Sequence, residues 1–227
     1  MRTIRASACR CTLAVAVLAA AACIAAPGAG AVDHEKVRLT PAGQAAARAP
    51  GLKRTDLPKE SGWTGGPKKP DLASNISCGT WSPKQSDLVL NGASDALFKH
   101  SGLQLESQVD VLATPKMVQL DWHRTVTAPR ALHCLRSVLS KPGSAKAKFI
   151  SFKPLALPRI ALFTAAWRVI YDIKGSSGVA RVMTDIILVG RGRTEVSLTT
   201  TALLASAPTV APLELQLAAR LTARIRA

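Results

Sequence analysis

The sequence has 227 residues, 48% of them hydrophobic, and its 30 basic and 14 acidic residues give a formal net charge of +16. It contains no internal repeat and no long low-complexity tract, which excludes a repeat architecture and a compositionally biased chain. A basic surface attracts polyanions, but these basic residues are scattered from Lys36 to Arg226, as is typical of charge that maintains solubility, so stable nucleic-acid binding is not expected.

The N-terminus has the pattern of a secretory signal peptide. Arg2 and Arg5 precede a short apolar run, Leu13 to Ala22, and Ala29-Gly30-Ala31 supplies the small residues of a cleavage site. The run is too short and too rich in alanine for a permanent membrane span of about 20 residues. We therefore predict that residues 1–31 are a signal peptide and that the protein works outside the cytoplasm, secreted or in the cell envelope.

Two alternatives remain open at this end of the chain. The apolar run also suits an N-terminal membrane anchor. It leads into Cys23 as well, where lipid attachment would make the protein a lipoprotein, although Ala20 is a poor residue three places before a lipidated cysteine.

Cysteine spacing predicts one disulfide. Three of the five cysteines lie within residues 1–31, which leaves Cys78 and Cys134 in the exported chain. Two cysteines in an oxidising compartment are expected to pair. The alternative is a pair of buried free thiols.

Residues 32–77 are predicted to form a loosely structured approach to a domain at 78–227. Thr40-Pro41 is a helix-start signal, so one short helix is possible there. Frequent proline and glycine after Pro50 exclude long elements.

The first half of the domain is predicted to be a hairpin followed by helices. Residues 103–113 alternate apolar and polar side chains, and Ser101-Gly102 is a turn that pairs them with 94–100. Thr114-Pro115 begins a helix, and Pro129 interrupts it before a second apolar helical stripe that continues to Leu139.

The second half is predicted to be an antiparallel meander and a last helix. The β-rich segments are 147–153, 160–173, 179–189 and 194–204, and a helix over 212–226 is opened by Pro212. If the loops set the register, one face of the meander is apolar (Trp167, Val169, Tyr171, Met183, Ile187, Val196 and Leu198) and the other polar (Arg168, Asp172, Glu195, Ser197 and Thr199). This register also places Asp185 on the apolar face, which it does not explain. The expected fold is α+β, with one antiparallel sheet, helices packed on one face and one disulfide.

Several of these residues resemble a known group of proteins. Trp63, Cys78, Ser86 to Leu90, Asp121-Trp122-His123 and Cys134-Leu135 resemble uncharacterised secreted actinobacterial proteins. Their layout is similar to the extracellular sensor domains of mycobacterial serine/threonine kinases and, more distantly, to PsbP-like domains. The resemblance covers about residues 60–227, implies this fold in a cell-envelope setting, and transfers no site residue, because it lacks a specific motif and this chain can form one disulfide where the kinase domains usually have two.

No sequence pattern identifies a reaction. Nucleophile elbows, metal-binding histidine pairs and phosphate loops are absent, and Gly190-Arg191-Gly192-Arg193 is better explained as a hairpin turn. His123 and His133 are interpreted as surface histidines of helices, and Trp122 and Trp167 as core aromatics. We therefore predict no catalytic residue, no metal site and no cofactor.

Three classes of function remain. The leading one is a non-catalytic ligand-binding or sensor-like domain, with an unknown small molecule or envelope component held between the sheet and the helices 115–139 and 212–226. The others are a secreted hydrolase whose residues converge only in space, and an envelope protein that binds polyanions. The oligomeric state and the ligand are not encoded in any recognisable pattern.

Overall fold

A computed structural model describes residues 33–59, 62–72, 78, 81–141, 145–176 and 178–225, so the predicted signal peptide 1–31 and Cys23 lie outside the described residues. The strands are β1 (Lys36–Val37), β2 (Thr64–Lys68), β3 (Val89–His100), β4 (Leu103–Leu112), β5 (Ala147–Pro154), β6 (Phe163–Gly175), β7 (Gly178–Arg191) and β8 (Thr194–Leu203). The helices are α1 (Pro41–Arg48), α2 (Pro115–Trp122), α3 (Pro129–Leu139) and α4 (Ala207–Ala223). A wide helical turn, His123–Thr127, joins α2 to α3.

All the strands belong to one eight-stranded sheet in the order β1-β3-β4-β8-β7-β6-β5, with β2 also paired to β3. The fold is α+β, as predicted, and its hairpin and meander lie in the predicted segments. The sheet is mixed, however, and the expectation of a purely antiparallel sheet was wrong, because β1 runs parallel to β3. A two-residue strand has no periodicity from which the sequence could predict it.

The helices cover both faces of the sheet, which corrects the expectation that they pack on one. Helices α1 and α4 pack with Leu105, Val109, Ile187 and Leu198; we call this side the α1/α4 face. Helices α2 and α3 pack on the opposite side, the α2/α3 face, which includes Leu112 and Trp167. An apolar helical stripe shows that a helix is buried but not on which face of the sheet, so the pattern could not separate the two arrangements.

The observed register explains Asp185. The β6–β7 hairpin closes tightly, with Gly175 opposite Gly178, and this reverses the facing of β6 relative to the prediction. Trp167, Val169 and Tyr171 therefore lie on the α2/α3 face, while Arg168 lies on the α1/α4 face directly opposite Asp185. The guanidinium of Arg168 donates two hydrogen bonds to the Asp185 carboxylate, at 2.7 and 2.5 Å.

The last helix begins earlier than predicted. Helix α4 starts at Ala207, with Pro208 in its first turn, and Pro212 lies inside it. Proline in a first turn is favoured because the first N–H groups of a helix have no partner, so Pro208 was the true start signal. Because Pro212 has no N–H, one carbonyl of the preceding turn lacks its helical donor, and the helix continues past it.

Residues 33–59 and 62–72 are tied to the sheet more closely than the sequence suggests. Helix α1 begins as predicted, with Thr40 accepting a hydrogen bond from the backbone N–H of Gly43. The structure adds β1 and β2, which pair with opposite ends of the same edge of β3. A short strand with two glycines and a proline, such as β2, carries no strand pattern of its own.

Helix α1 touches β3 through two glycines, which predicts a specific sensitivity. A Cβ added to Gly92 would lie 2.1 Å from the carbonyl oxygen of Gly43, so Gly92→Ala must push the helix off the strand. We expect a loss of about 1–3 kcal/mol in the free energy of unfolding, measured with urea. Gly66→Ala is the matched control, because a Cβ there has nothing within 4 Å. An equal effect of the two substitutions would contradict close packing at Gly92.

The predicted disulfide is present in the structure. Cys78 and Cys134 are bonded, with their Cα atoms 5.6 Å apart, and the bond connects the segment before β3 to helix α3. In the part of the chain that the structure describes, no helix has the length and apolar character needed to span a membrane.

Candidate functional site: a pocket under helices α2 and α3

A cavity of about 410 Å³ lies between the α2/α3 face of the sheet and the two helices that cover it. Strands β4, β6, β7 and β8 form its floor, and α2, α3, the segment before β1 and parts of 71–85 form its rim. Strand alternation aims every second side chain of these strands at it. Of the two helical segments expected to border a ligand groove, residues 115–139 border this cavity. Residues 212–226 do not, because α4 packs on the opposite face.

Five acidic residues line this pocket, and we call four of them, Glu35, Asp110, Asp121 and Glu195, the pocket acids. Asp110 and Glu195 lie directly opposite each other on β4 and β8, and Asp121 comes from the last turn of α2. Glu35, immediately before β1, completes the group. The charge of Asp121 is one of the causes that raise the pKa of Glu195, so these two carboxyl groups are near neighbours.

The amide of Gln85 lies beside these acids with one atom unsatisfied. Its Nε2 donates to Oδ1 of Asp121 at 3.0 Å, and this bond fixes which end of the amide faces the carboxyl. Its Oε1 is buried without a hydrogen-bond partner, although the residue is only 2% exposed. A buried acceptor without a donor is costly in a folded protein, so this atom is suited to a donor supplied by a ligand.

Aromatic and aliphatic side chains form the other wall of the pocket. Trp122 of α2 and Trp167 of β6 are its largest members, and both are nearly buried. Each is held by a second ring, Phe163 against Trp122 at 5.3 Å between centroids and Phe152 against Trp167 at 6.3 Å. The two tryptophans are therefore core residues, as predicted, and also pocket residues.

The pocket acids bind protons more tightly than exposed carboxyls do. Removal from water, followed by the charges of neighbouring acids, raises the pKa of Glu35 and of Asp110 to about 7. Burial also raises the pKa of Asp121, and that of Glu195 well above its ordinary value. Perturbed carboxyls in a cavity are a common property of functional sites, because folding stability alone gives no reason to place them there.

These pKa values predict that the pocket acids destabilise the protein at alkaline pH. The folded state holds protons that the unfolded chain has already released above about pH 4, so their contribution to stability is lost as the pH rises through about 7. We expect Asp110→Asn or Glu195→Gln to raise the free energy of unfolding at both pH values, and by about 1–2 kcal/mol more at pH 8 than at pH 5.5. Urea unfolding at both pH values measures this. Asp172→Asn is the control, since Asp172 pairs with Arg181 and its pKa is lowered by that partner, so it should show no gain at pH 8.

Two linkages hold the helical roof over the pocket. The guanidinium of Arg124, just after α2, donates to both carboxylate oxygens of Asp87 and to the carbonyl of Lys84. The disulfide fixes Cys134 of α3, next to the pocket residue Leu135. These bonds position α2 and α3 by attaching them to the segment that precedes β3.

The other residues considered in the sequence lie elsewhere. His123 and His133 are exposed on the outer side of the helical layer, in agreement with their interpretation as surface histidines. The segment Gly190–Arg193 forms the β7–β8 hairpin, with Gly192 at a positive φ of 57°, which confirms the turn interpretation. Cys78 and Cys134 are joined to each other rather than to any other group.

No protein-family model matches the chain, and none of the curated proteins is similar to it. Among solved structures, it is similar to PA94 of Pseudomonas aeruginosa, a protein of unknown function, with 14% sequence identity and a TM-score of 0.28. The match covers 51% of this chain and 70% of that one. A TM-score of this size does not establish a shared fold, so no residue role is transferred. The resemblance to secreted sensor domains stays a prediction.

Proposed function

We propose that this protein is an exported, non-catalytic domain that binds a small molecule in the pocket under α2 and α3. The observation that carries the proposal is a cavity of about 410 Å³ that is lined by an apolar wall and by a set of polar groups. Ligand sites in proteins are typically concave, mostly apolar and supplied with a few polar groups that orient the ligand, and their volumes begin at about 300 Å³.

The surroundings of the pocket support a preformed site. Its floor consists of central strands, and its roof is attached by the Arg124–Asp87 ion pair and by the disulfide. Side chains held in this way lose little freedom when a ligand binds, which favours affinity. Export is part of the proposal. It predicts that the protein recovered outside the cell begins at Val32, whereas a mass that shows a lipidated Cys23 would indicate a lipoprotein.

A pocket-filling substitution tests the binding site. Ser197 lies on β8, on the floor of the pocket, and Ser197→Phe would occupy much of the cavity. Thr201→Phe is the matched control, because Thr201 is on the same strand and faces the same side without lining the pocket. We expect ligand-detected NMR with a library of small metabolites to find compounds that bind the wild type and Thr201→Phe but not Ser197→Phe. A library in which no compound shows this pattern would contradict the proposal, provided that all three proteins are folded.

One observation favours a second candidate, a hydrolase. Asp121 and Glu195 both line the cavity and both have a raised pKa, and carboxyls of this kind act as general acids in many hydrolases. A panel of chromogenic glycosides and esters separates the two functions. Turnover that disappears in Glu195→Gln would establish the hydrolase and displace the non-catalytic proposal.

A further inference from the structure

We infer that the ligand of this pocket is an organic cation, a compound with an ammonium group and an apolar body, with the ammonium held by the carboxyl groups and the Gln85 amide oxygen. This inference rests on the proposed function, since it specifies what the same pocket binds.

The charge balance around the pocket acids supports a cationic ligand. The three buried aspartates outside the pocket each have a cation, namely Asp56 with Arg224, Asp95 with Lys68, and Asp185 with Arg168. None of the four pocket acids has an ion pair with a described lysine or arginine, although the chain has 30 basic residues. The guanidinium nearest to Asp121 belongs to Arg124, which is bonded to Asp87. A pocket that keeps several acids together without a cation is arranged to receive one from outside.

The amide of Gln85 supports the same ligand independently of charge. Oε1 of Gln85 is buried and accepts no hydrogen bond, and the amide is held in this orientation by its bond to Asp121. Gln85 therefore contributes an unsatisfied acceptor to the wall of the cavity, beside the oxygens of those carboxyl groups that have released their protons. An ammonium group, with three N–H donors and no acceptor, satisfies such a set, whereas a carboxylate or phosphate cannot.

The apolar wall of the cavity indicates what the rest of the ligand is. The acids lie at one side of the cavity, and Trp122, Trp167 and Leu188 lie along another. Indole rings attract cations through their faces and bury alkyl or aromatic groups. A bare metal ion would leave this apolar wall uncovered, while an amine with an apolar body contacts both sides.

Protons should compete with such a ligand. The titratable groups around the acids are His34 and Glu35 before β1, Asp71 after β2, Asp95 on β3, Asp110 on β4, Asp121 and Arg124 in the helical layer, and Glu195 on β8. Glu35 and Asp110 have a pKa of about 7, so they lose their protons between pH 6 and pH 8. The affinity for an amine should increase over this range, while the affinity for a neutral analogue should not.

The test compares three probes of one shape and different charge. The probes are 2-phenylethylamine, 2-phenylethanol and 3-phenylpropionate, titrated into the full exported chain at pH 6 and pH 8 by calorimetry or NMR. We expect the amine to bind at least about tenfold more tightly than the alcohol at pH 8, and the propionate to bind weakest. The double variant Asp110→Asn, Glu195→Gln should lose this preference and keep its binding of the alcohol. Asp172→Asn, remote from the pocket, should behave as the wild type.

The outcomes separate this inference from the proposed function. If the alcohol or the propionate binds as well as the amine, and Ser197→Phe abolishes that binding, the ligand is not a cation but the pocket is a ligand site. If Mg²⁺, Ca²⁺ or Zn²⁺ binds and the amine does not, the inference is wrong and the acids form a metal site. If no probe binds the wild type, both the inference and the ligand-binding role lose their support.

Discussion

Replacing Arg168 with methionine is expected to lower the free energy of unfolding by about 3–5 kcal/mol. Asp185 is 0% exposed on the α1/α4 face, and the two bonds from Arg168 neutralise its charge there. Without the guanidinium, a carboxylate stays in a layer closed by α4. Glu214 of α4 is also buried nearby, and burial together with the charge of Asp185 raises its pKa to about 7.

The pH dependence of this loss is a further check on its cause. Glu214 releases its proton as the pH rises through about 7, so the loss from Arg168→Met should be greater at pH 8 than at pH 5.5. The double variant Arg168→Met, Asp185→Leu should recover most of the stability, because it replaces both charges with apolar groups of similar size. A single variant that loses less than about 1 kcal/mol would mean that water or a shift of α4 relieves Asp185.

Removal of the disulfide is expected to cost about 4 kcal/mol, because Cys78 and Cys134 are 56 positions apart and the bond restricts the unfolded chain over that length. For a domain of this size the melting temperature should decrease by about 10 °C. Cys78→Ser and Cys134→Ala measure the effect by calorimetry under oxidising conditions. Alanine is chosen at 134 because the Cys134 side chain is fully buried, where a serine hydroxyl would add a second cost.

The controls for the disulfide follow from its being a single bond. The double variant should be no less stable than the weaker single variant, and thiol labelling of the unreduced, denatured wild type should find neither cysteine free. Two reactive thiols in protein recovered from outside the cell would contradict the pairing. Because the bond also fixes α3 beside the pocket, the variants should bind pocket ligands more weakly even below their melting temperatures.

Local signals in the sequence were sufficient for most of the elements. Thr40-Pro41 and Thr114-Pro115 mark helix starts that the structure confirms, and Ser101-Gly102 is the turn of the first hairpin. The errors lie in relations between elements. The loop between β6 and β7 was predicted at 174–178, whereas the strands pair as far as Gly175 and Gly178. This error placed Trp167 and Arg168 on the wrong faces, because a shift of one residue exchanges the two sides of a strand.

The acidic lining of the pocket was missed for the same reason. Asp110 and Glu195 follow the alternation of half-exposed strands, which predicts polar residues facing solvent. That polar face is instead covered by α2 and α3, a fact that depends on the long-range position of the helices. One signal was present: helix α2 carries Asp121 next to Trp122, and its apolar residues require a sheet face to pack on. If α4 packs on the apolar face of the sheet, α2 must pack on the polar face.

The central claim is that the cavity under α2 and α3 holds a small molecule. Native mass spectrometry of the protein purified from the exporting cells tests it most directly, with wild type, Thr201→Phe and Ser197→Phe prepared in parallel. We predict that the wild type and Thr201→Phe carry the same small molecule, and that Ser197→Phe, folded and equally stable, lacks it. The claim would be contradicted if all three proteins carry the same molecule. It would also be contradicted if the wild type carries none and gains none from cell extract.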